Sequence, residues 1–251
     1  MISIGNDIVS LSSMDRQRTL DPRYYSKILS TGEVRLFSDH LAALEFEQYV
    51  WMAWSLKESA YKYLKRKIPV LEFSPTKFVV QTISEADVDF NSIIGGDWTF
   101  SDDDSLYSGK IKFDSNVLHF RAIKTPQWIA SMVNLNDDFR NVSWAVQEID
   151  GDNHELQSSG VRNFLLSELA DIFTGDIVIR KDKVGYPVAF QNGEVLDFPI
   201  SLSHHGRYVS YAFNLSMVGD LPMVGVVTET TGGTIRALVG DLPTVGVITE
   251  P

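Results

Sequence analysis

Residues 54–62 read Trp54-Ser-Leu-Lys57-Glu58-Ser-Ala-Tyr61-Lys62, and this stretch decides the fold. At 3.6 residues per turn, one apolar stripe that can pack on a core is formed by Tyr49, Ala53, Leu56, Ala60 and Leu64. A second face, displaced by roughly a third of a turn, carries Trp54, Glu58, Lys62 and Lys65. The pattern predicts a helix whose polar face could serve a metal and a phosphate. On spacing alone, the pattern is more typical of a solvated face with an i,i+4 Glu–Lys pair.

The first half of the chain predicts one strand, one long helix and then several strands. Residues 2–9 alternate and are rich in β-branched side chains, which predicts a strand ending at Asp7. Ser38 or Asp39 can cap a helix that runs to about Lys67 and is stopped by Pro69. Strand patterns follow at 77–83, 98–100, 111–113, 117–124 and 128–133.

The second half repeats this order loosely. A strand at 142–149 and a helix at 159–173 precede strands at 177–180, 187–190 and 208–215. We therefore expect an α+β fold made of a pseudo-twofold pair of similar halves, each a long helix packed on a small antiparallel sheet. The predicted divisions are 1–137, 138–216 and a C-terminal tail, 217–251.

The tail contains an internal repeat. Val-Gly-Asp-Leu-Pro begins at Val218 and again at Val239, a period of 21 residues. Two copies are too few for a solenoid, which needs about three. The repeat could be a hairpin addition, an interaction segment or an accident of sequence, and we assign it no chemistry.

Composition excludes several classes of protein. The net charge of −11 argues against a general nucleic-acid binder, which gains affinity by neutralising phosphates. The chain has no cysteine, so disulfides and thiolate sites are excluded. The sequence carries neither a basic, apolar leader nor a run of about 18 apolar residues, so we expect a cytoplasmic protein that does not bind membranes.

Two further segments accompany the helix. The first, residues 4–9, reads Ile-Gly-Asn-Asp-Ile-Val, and the second, residues 200–206, reads Ile-Ser-Leu-Ser-His-His-Gly. Together, and in this order, the three segments resemble the 4′-phosphopantetheinyl transferase superfamily. Its members carry a Gly-x-Asp strand, a Trp-x-x-Lys-Glu helix with a later lysine, and a Ser-His loop. The order, with Gly-x-Asp first, is similar to that of the short holo-acyl-carrier-protein synthases, whereas the length is similar to that of the two-half members.

The resemblance implies a magnesium site on the first half. Asp7 and Glu58 would bind Mg²⁺, a cation that takes one or two carboxylates together with phosphate oxygens. Lys62 would contact the pyrophosphate of coenzyme A and assist catalysis, and Lys57 is a second candidate. Two-half members carry another acid where this chain has Val9. The general base therefore stays open between Glu58 and a metal-polarised water.

The resemblance also implies a nucleotide site on the second half. Ser203 and His204 would contact the 3′-phosphate of coenzyme A, since a hydroxyl and an imidazole suit a phosphate. The family's Gly-Lys-Pro turn corresponds to Gly-Tyr186-Pro here, so Lys183 or Arg180 would supply the cation. His205 is expected to hydrogen-bond to the backbone.

The implied activity is Mg²⁺-dependent transfer of the 4′-phosphopantetheine arm of coenzyme A to a serine of an apo acyl or peptidyl carrier protein. Adenosine 3′,5′-bisphosphate would be released, as by a holo-acyl-carrier-protein synthase. We expect a monomer, and the candidates for docking an acidic carrier are Arg16, Arg18, Lys65 and Arg66. The alternative is a non-catalytic coenzyme A binding or scaffold protein that keeps the fold.

Overall fold

The computed structural model describes residues 3–41, 44–86, 101 and 103–215, together with the backbone of 234–237. The helices are α1 (Arg16–Thr19), α2 (Pro22–Tyr25), α3 (Thr31–His40), α4 (Phe46–Lys65) and α5 (His154–Ile172). The strands are β1 (Gly5–Ser10), β2 (Val79–Glu85), β3 (Ser105–Phe113), β4 (Asn116–Lys124), β5 (Trp128–Asn134), β6 (Val142–Glu148), β7 (Ile177–Lys181), β8 (Pro187–Gln191), β9 (Glu194–Val195), β10 (Ile200–His205), β11 (Tyr208–Asn214) and β12 (Thr234–Ala237).

The strands form three sheets, and the strand pairs described are antiparallel. A five-stranded sheet has the order β1-β5-β4-β3-β2, a four-stranded sheet the order β10-β11-β6-β12, and a three-stranded sheet the order β7-β8-β9. Helices combined with antiparallel sheets confirm the α+β class predicted from the sequence. None of the helices in the described part of the chain is both long enough and apolar enough to span a bilayer.

Three apolar clusters hold these layers together. One lies between α4 and the five-stranded sheet, and another between α5 and the four-stranded sheet. The third joins the two sheets, with Ile4 and Ile8 of the first half packed in the same cluster as Trp144 and Ala212 of the second. The two halves are therefore packed through a shared core.

Helix α4 carries the apolar stripe predicted from its spacing. Each of the five stripe residues is at most 1% exposed, so this face is fully inside the core. The predicted start was wrong, because Ser38 lies inside α3 and α4 begins only at Phe46. A capping box formed by Ser30 and Glu33 starts α3, and this Ser-x-x-Glu signal was readable in the sequence. Periodicity alone did not reveal that two helices share the segment.

Strand β1 is shifted relative to the prediction, since it begins at Gly5 and continues to Ser10. Asp7 therefore lies in the middle of the strand, paired with Ser131 of β5, and not at its end. Because β1 is the outermost strand of its sheet, one row of its backbone amides is left without a strand partner. That free edge faces the second half of the chain.

The remaining strand predictions agree in position with the structure, with some shifts. The patterns at 117–124 and 128–133 became β4 and β5, while 111–113 is only the end of β3. The pattern at 98–100 and the two copies of the tail repeat lie outside the described residues. Within the tail, β12 pairs with β6 at the edge of the four-stranded sheet.

Candidate functional site

The candidate site lies where β1 and α4 touch backbone to backbone. A Cβ atom at Gly5 would stand 1.9 Å from the carbonyl oxygen of Ser59, a distance that no side chain can occupy. Glycine is therefore required for this approach, which explains the glycine of the Gly-x-Asp motif. Because strand residues alternate, Asp7 shares the α4-facing side of β1 with Gly5 and stands opposite the polar face of the helix.

Asp7 is held by one residue from each half of the chain. Lys62 donates to its Oδ1 at 2.9 Å and also donates to the carbonyl oxygen of Asn6 at 3.1 Å. Ser203 donates to the same Oδ1 at 2.8 Å. Asp7 is only 6% exposed, so these charge-assisted contacts are largely screened from water.

Glu58 lies beside this cluster. The indole of Trp54, one helical turn earlier, acts to lower the pKa of its carboxylate. The pKa of Glu58 is raised, first by burial and then by the negative charge of Asp7, although Lys62 opposes this rise. The structure thus brings Asp7, Glu58 and Lys62 together, as the family resemblance implied.

His204 approaches the same cluster from β10. Its ring packs edge-to-face on His154 with the ring centroids 5.7 Å apart. The pKa of His204 is lowered by burial, and the charge of Lys62 lowers it further, so the ring is neutral at pH 7. His154 is exposed at the first residue of α5, and no spacing signal links it to His204, 50 positions away.

The side chains of β10 close the free edge of β1. The amides of Asn6 and Ile8 donate to the hydroxyls of Ser201 and Ser203, at 3.0 and 3.1 Å. The amide of Ser10 donates to Nδ1 of His205 at 3.1 Å, which confirms the backbone role expected for this histidine. The role of Ser201 in joining β10 to β1 was missed. The sequence did carry a pattern that could have indicated this role. Ser201, Ser203 and His205 place a polar side chain at every second position of β10.

Lys57 is not brought to the cluster. Its side chain is fully buried and forms an ion pair of 2.8 Å with Glu33, whose side chain is also fully buried. It donates as well to the carbonyl oxygen of Ile28 at 2.6 Å. Burial lowers the pKa of Lys57, and the charge of Glu33 opposes this. An ammonium held in this way has no access to a pyrophosphate.

Lys183 lies on the exposed turn between β7 and β8. The turn is anchored at the C-terminal end of α4, where the Tyr186 hydroxyl donates to the carbonyl oxygen of Lys65. Arg66 lies over the Tyr186 ring, 5.3 Å from its centroid, and donates to the carbonyl oxygens of Pro187 and Ile200. The turn therefore stands at the end of α4 that carries Lys62, although Lys183 itself contacts none of the cluster residues described above.

A pocket of about 350 Å³ opens towards the other end of α4. Trp51 forms one wall, Leu11 and Met14 add apolar surface, and the charged residues Arg16 and Glu47 also line the pocket. Trp51 precedes Glu58 by seven residues, which is about 10 Å along a helix. Its ring also contacts that of Trp54, with centroids 6.4 Å apart, so an aromatic row connects the pocket to Glu58.

The carboxylates of the site fit a magnesium ion. The described residues contain no cluster of three or more histidine, aspartate or glutamate side chains arranged for a metal. Mg²⁺ nevertheless needs only one or two carboxylates when phosphate oxygens and water complete its shell. The negative charge of Asp7 raises the pKa of Glu58, so a cation between the two groups would relieve their repulsion.

Comparison with known families agrees with these observations. Residues 3–108 match the family model described as the 4′-phosphopantetheinyl transferase superfamily. The resemblance is confirmed over this segment, which contains Asp7, Glu58 and Lys62, whereas Ser203 and His204 lie beyond it. The match supports a transferase of a family that uses coenzyme A and acts on carrier proteins, typically with a divalent metal. Searches of curated proteins and of solved structures found no match.

Proposed function

We propose that this protein is a Mg²⁺-dependent 4′-phosphopantetheinyl transferase of the holo-acyl-carrier-protein synthase type. Its substrates are coenzyme A and a serine hydroxyl of an apo acyl or peptidyl carrier protein. The observation that carries the proposal is the convergence of Asp7, Glu58 and Lys62 at the contact between β1 and α4. The family match over residues 3–108 supports it independently.

Each of the three residues has its own role in the proposed phosphoryl transfer. Asp7 and Glu58 would hold Mg²⁺, which when bound supplies positive charge to the pyrophosphate of coenzyme A. Lys62 adds a fixed cation next to that charge, since its ammonium is already held on Asp7 and on the β1 backbone. The acceptor for the serine proton is either Glu58 or a water polarised by the metal, the two alternatives that the motif leaves open.

The ends of α4 suit the two ends of coenzyme A. His204 and the exposed turn that carries Lys183 offer an imidazole and an ammonium for the phosphates of the nucleotide. The pocket beside Trp51, which is lined by both apolar and polar side chains, is the place we assign to the uncharged pantetheine arm. In this arrangement the pyrophosphate lies between them, next to Lys62.

The domain organisation belongs to the same proposal. Residues 1–137 form a half with the metal-binding motifs, residues 138–216 a half with the Ser-His motif, and residues 217–251 a tail. In support, each half begins with a strand that pairs antiparallel with the last strand of that half, β1 with β5 and β6 with β11. Each half also packs one long helix on its sheet. Two such halves in one chain favour a monomer with a pseudo-twofold axis.

The proposal is tested by weighing carrier proteins. Incubation with coenzyme A, Mg²⁺ and several apo carriers should add the mass of one phosphopantetheine arm to at least one of them. Asp7→Ala and Glu58→Ala should each lower the rate by at least about 100-fold while keeping the thermal transition, because a metal ligand is lost. Glu72→Ala, which removes an exposed carboxylate beyond the end of α4, is the matched control.

Two outcomes would count against the proposal. Full activity in EDTA or in Asp7→Ala would refute the role of the metal. Tight binding of coenzyme A without transfer to any carrier would instead favour a non-catalytic coenzyme A binding protein. Val9 and Tyr186 are the departures from the family pattern that keep this second outcome worth measuring.

A further inference from the structure

We propose that Ser203 is a positioning residue for Asp7, and that its hydroxyl orients the carboxylate towards the metal cation. The inference rests on the proposed function, because it assigns Ser203 a task in the same site. It differs from the phosphate contact expected from the sequence motif, and the hydrogen bonds of Ser203 give the reason.

The Ser203 hydroxyl is fully engaged inside the protein. Its proton goes to Oδ1 of Asp7, at 2.8 Å, and its oxygen accepts the amide hydrogen of Ile8, at 3.1 Å. A serine hydroxyl has a single proton to donate. Ser203 is also only 4% exposed, so a phosphate in solution would have to displace Asp7 to reach it.

The same contacts leave one oxygen of Asp7 for a cation. Ser203 and Lys62 both donate to Oδ1. Within the described part of the chain, Oδ2 accepts no hydrogen bond, and it is therefore the atom available to a metal. Fixing one carboxylate oxygen by hydrogen bonds sets the direction of the other, as outer-shell partners do in metal sites.

Ser201 provides a matched comparison within the same strand. Its hydroxyl accepts the amide hydrogen of Asn6 at 3.0 Å, just as Ser203 accepts that of Ile8. The two serines are about equally buried, at 5% and 4% exposure. Only Ser203 also donates to a carboxylate. Replacing either serine by alanine removes one edge contact, but only Ser203→Ala also removes a hydrogen bond to Asp7, which then keeps the one from Lys62.

The experiment compares the affinity of the full-length protein for Mn²⁺, a paramagnetic substitute for Mg²⁺, measured by electron paramagnetic resonance with coenzyme A present. Ser203→Ala should weaken Mn²⁺ binding by about 10-fold or more, while Ser201→Ala should leave it within about twofold of the wild type. If Ser203→Ala fails to fold, Ser203→Cys replaces it, because a thiol of similar size is a poor donor. Ser203→Thr, which keeps the hydroxyl, should restore the affinity.

A second measurement separates positioning from phosphate binding. The ratio of the affinities for coenzyme A and 3′-dephospho-coenzyme A, measured by calorimetry in EDTA, should be the same in Ser203→Ala and in the wild type. A changed ratio would make Ser203 a phosphate contact, and Mn²⁺ affinities that are equal in Ser203→Ala and Ser201→Ala would also overturn the inference. A wild-type protein that binds Mn²⁺ but transfers no arm would refute the proposed function and leave this assignment standing.

Discussion

Among single residues, His204 differs most from an ordinary strand histidine. It is partly buried, packs on His154, and lies within electrostatic reach of Lys62 and Asp7. Its lowered pKa keeps the ring neutral at pH 7, so it can donate one N–H without adding charge. A donor of this kind next to a lysine suits a phosphate oxygen, and it stands on the same strand as Ser203 without sharing its bond to Asp7.

We predict that His204→Ala weakens coenzyme A more than 3′-dephospho-coenzyme A. A hydrogen bond to a charged group is worth about 1.5–3 kcal/mol, so the affinity for coenzyme A should fall by roughly 10- to 100-fold. Titration calorimetry with both ligands measures the difference. His119→Ala, on β4 with Asp137 3.9 Å away, is the control and should change neither affinity. If the affinities for both ligands fell by the same factor, His204 would have a structural role and would not contact the 3′-phosphate.

The residues of the site could be predicted from the sequence, but most of the hydrogen bonds and ion pairs between them could not. The spacing of Glu58 and Lys62 on one helix placed them on one face, because helical geometry is local. The contact of Asp7 with Ser203 joins residues 196 positions apart, and no local pattern encodes such a distance. The motif resemblance supplied both residues but not the direction of their hydrogen bond. The same holds for Lys57, whose partner Glu33 lies on another helix.

At the scale of elements, the buried pair of Glu33 and Lys57 fixes α4 in its place. Glu33 caps α3, accepts the amide hydrogen of Val80 on β2 at 2.9 Å, and binds the ammonium of Lys57. Three elements are therefore joined at one carboxylate. On the side of α4 that faces the sheet, the hydroxyls of Ser55 and Ser59 bond to that of Ser131, at 2.7 and 2.8 Å. These two anchors set the rotation of the helix that presents Glu58.

We predict that Lys57→Met lowers the free energy of unfolding by about 3–5 kcal/mol, because it leaves the Glu33 carboxylate buried without a cation. Adding Glu33→Gln should recover part of this loss, since the second change removes the uncompensated charge. Chemical denaturation of the wild type, both single variants and the double variant measures the coupling. The double variant should bind coenzyme A as tightly as the wild type. A selective loss of coenzyme A affinity at unchanged stability would instead make Lys57 a ligand contact.

Helices and strands were predicted best where a short stretch of sequence marks both of their ends. Strands β4 and β5 were found nearly to the residue because turn-formers bound an apolar run on each side. Helix α4 was found from its period, but its start was misplaced because α3 continues the helical pattern upstream. The short helices α1 and α2 were missed, since four residues are too few to establish a period.

For the whole molecule, the row of bonds between β1 and β10 is the polar contact that joins the two halves at the site. His205 contributes a bond that only a deprotonated Nδ1 can accept. Its pKa is lowered, first by burial, while the charge of Asp7 opposes this. Protonating His205 would break its bond to Ser10 and place a charge at the interface, so the assembly of the halves is sensitive to acid.

We predict that the stability of the fold declines as the pH falls below about 6.5, the ordinary pKa of histidine. The sign follows because the folded protein, with its lowered pKa, binds the proton less readily than the unfolded chain. His205→Asn keeps an acceptor near the Nδ1 position and cannot be protonated, so it should flatten the decline. Urea denaturation at pH 7 and at about pH 5.5 measures both proteins, with the contribution of His204 remaining in the variant. An identical decline in the two proteins would contradict the role of His205.

The closure of β1 by β10 also has a consequence during synthesis of the chain. The ribosome makes β1 before β10, the strand that covers its edge, and 195 residues separate the bonded positions Ile8 and Ser203. At a synthesis rate of roughly 5–20 residues per second, the edge of β1 stays uncovered for about 10–40 s. An open strand edge is a template for pairing with other chains. During this interval the nascent protein is prone to aggregate. The carboxylate of Asp7, which would bind the metal, is oriented by Ser203 only after β10 has covered the edge of β1.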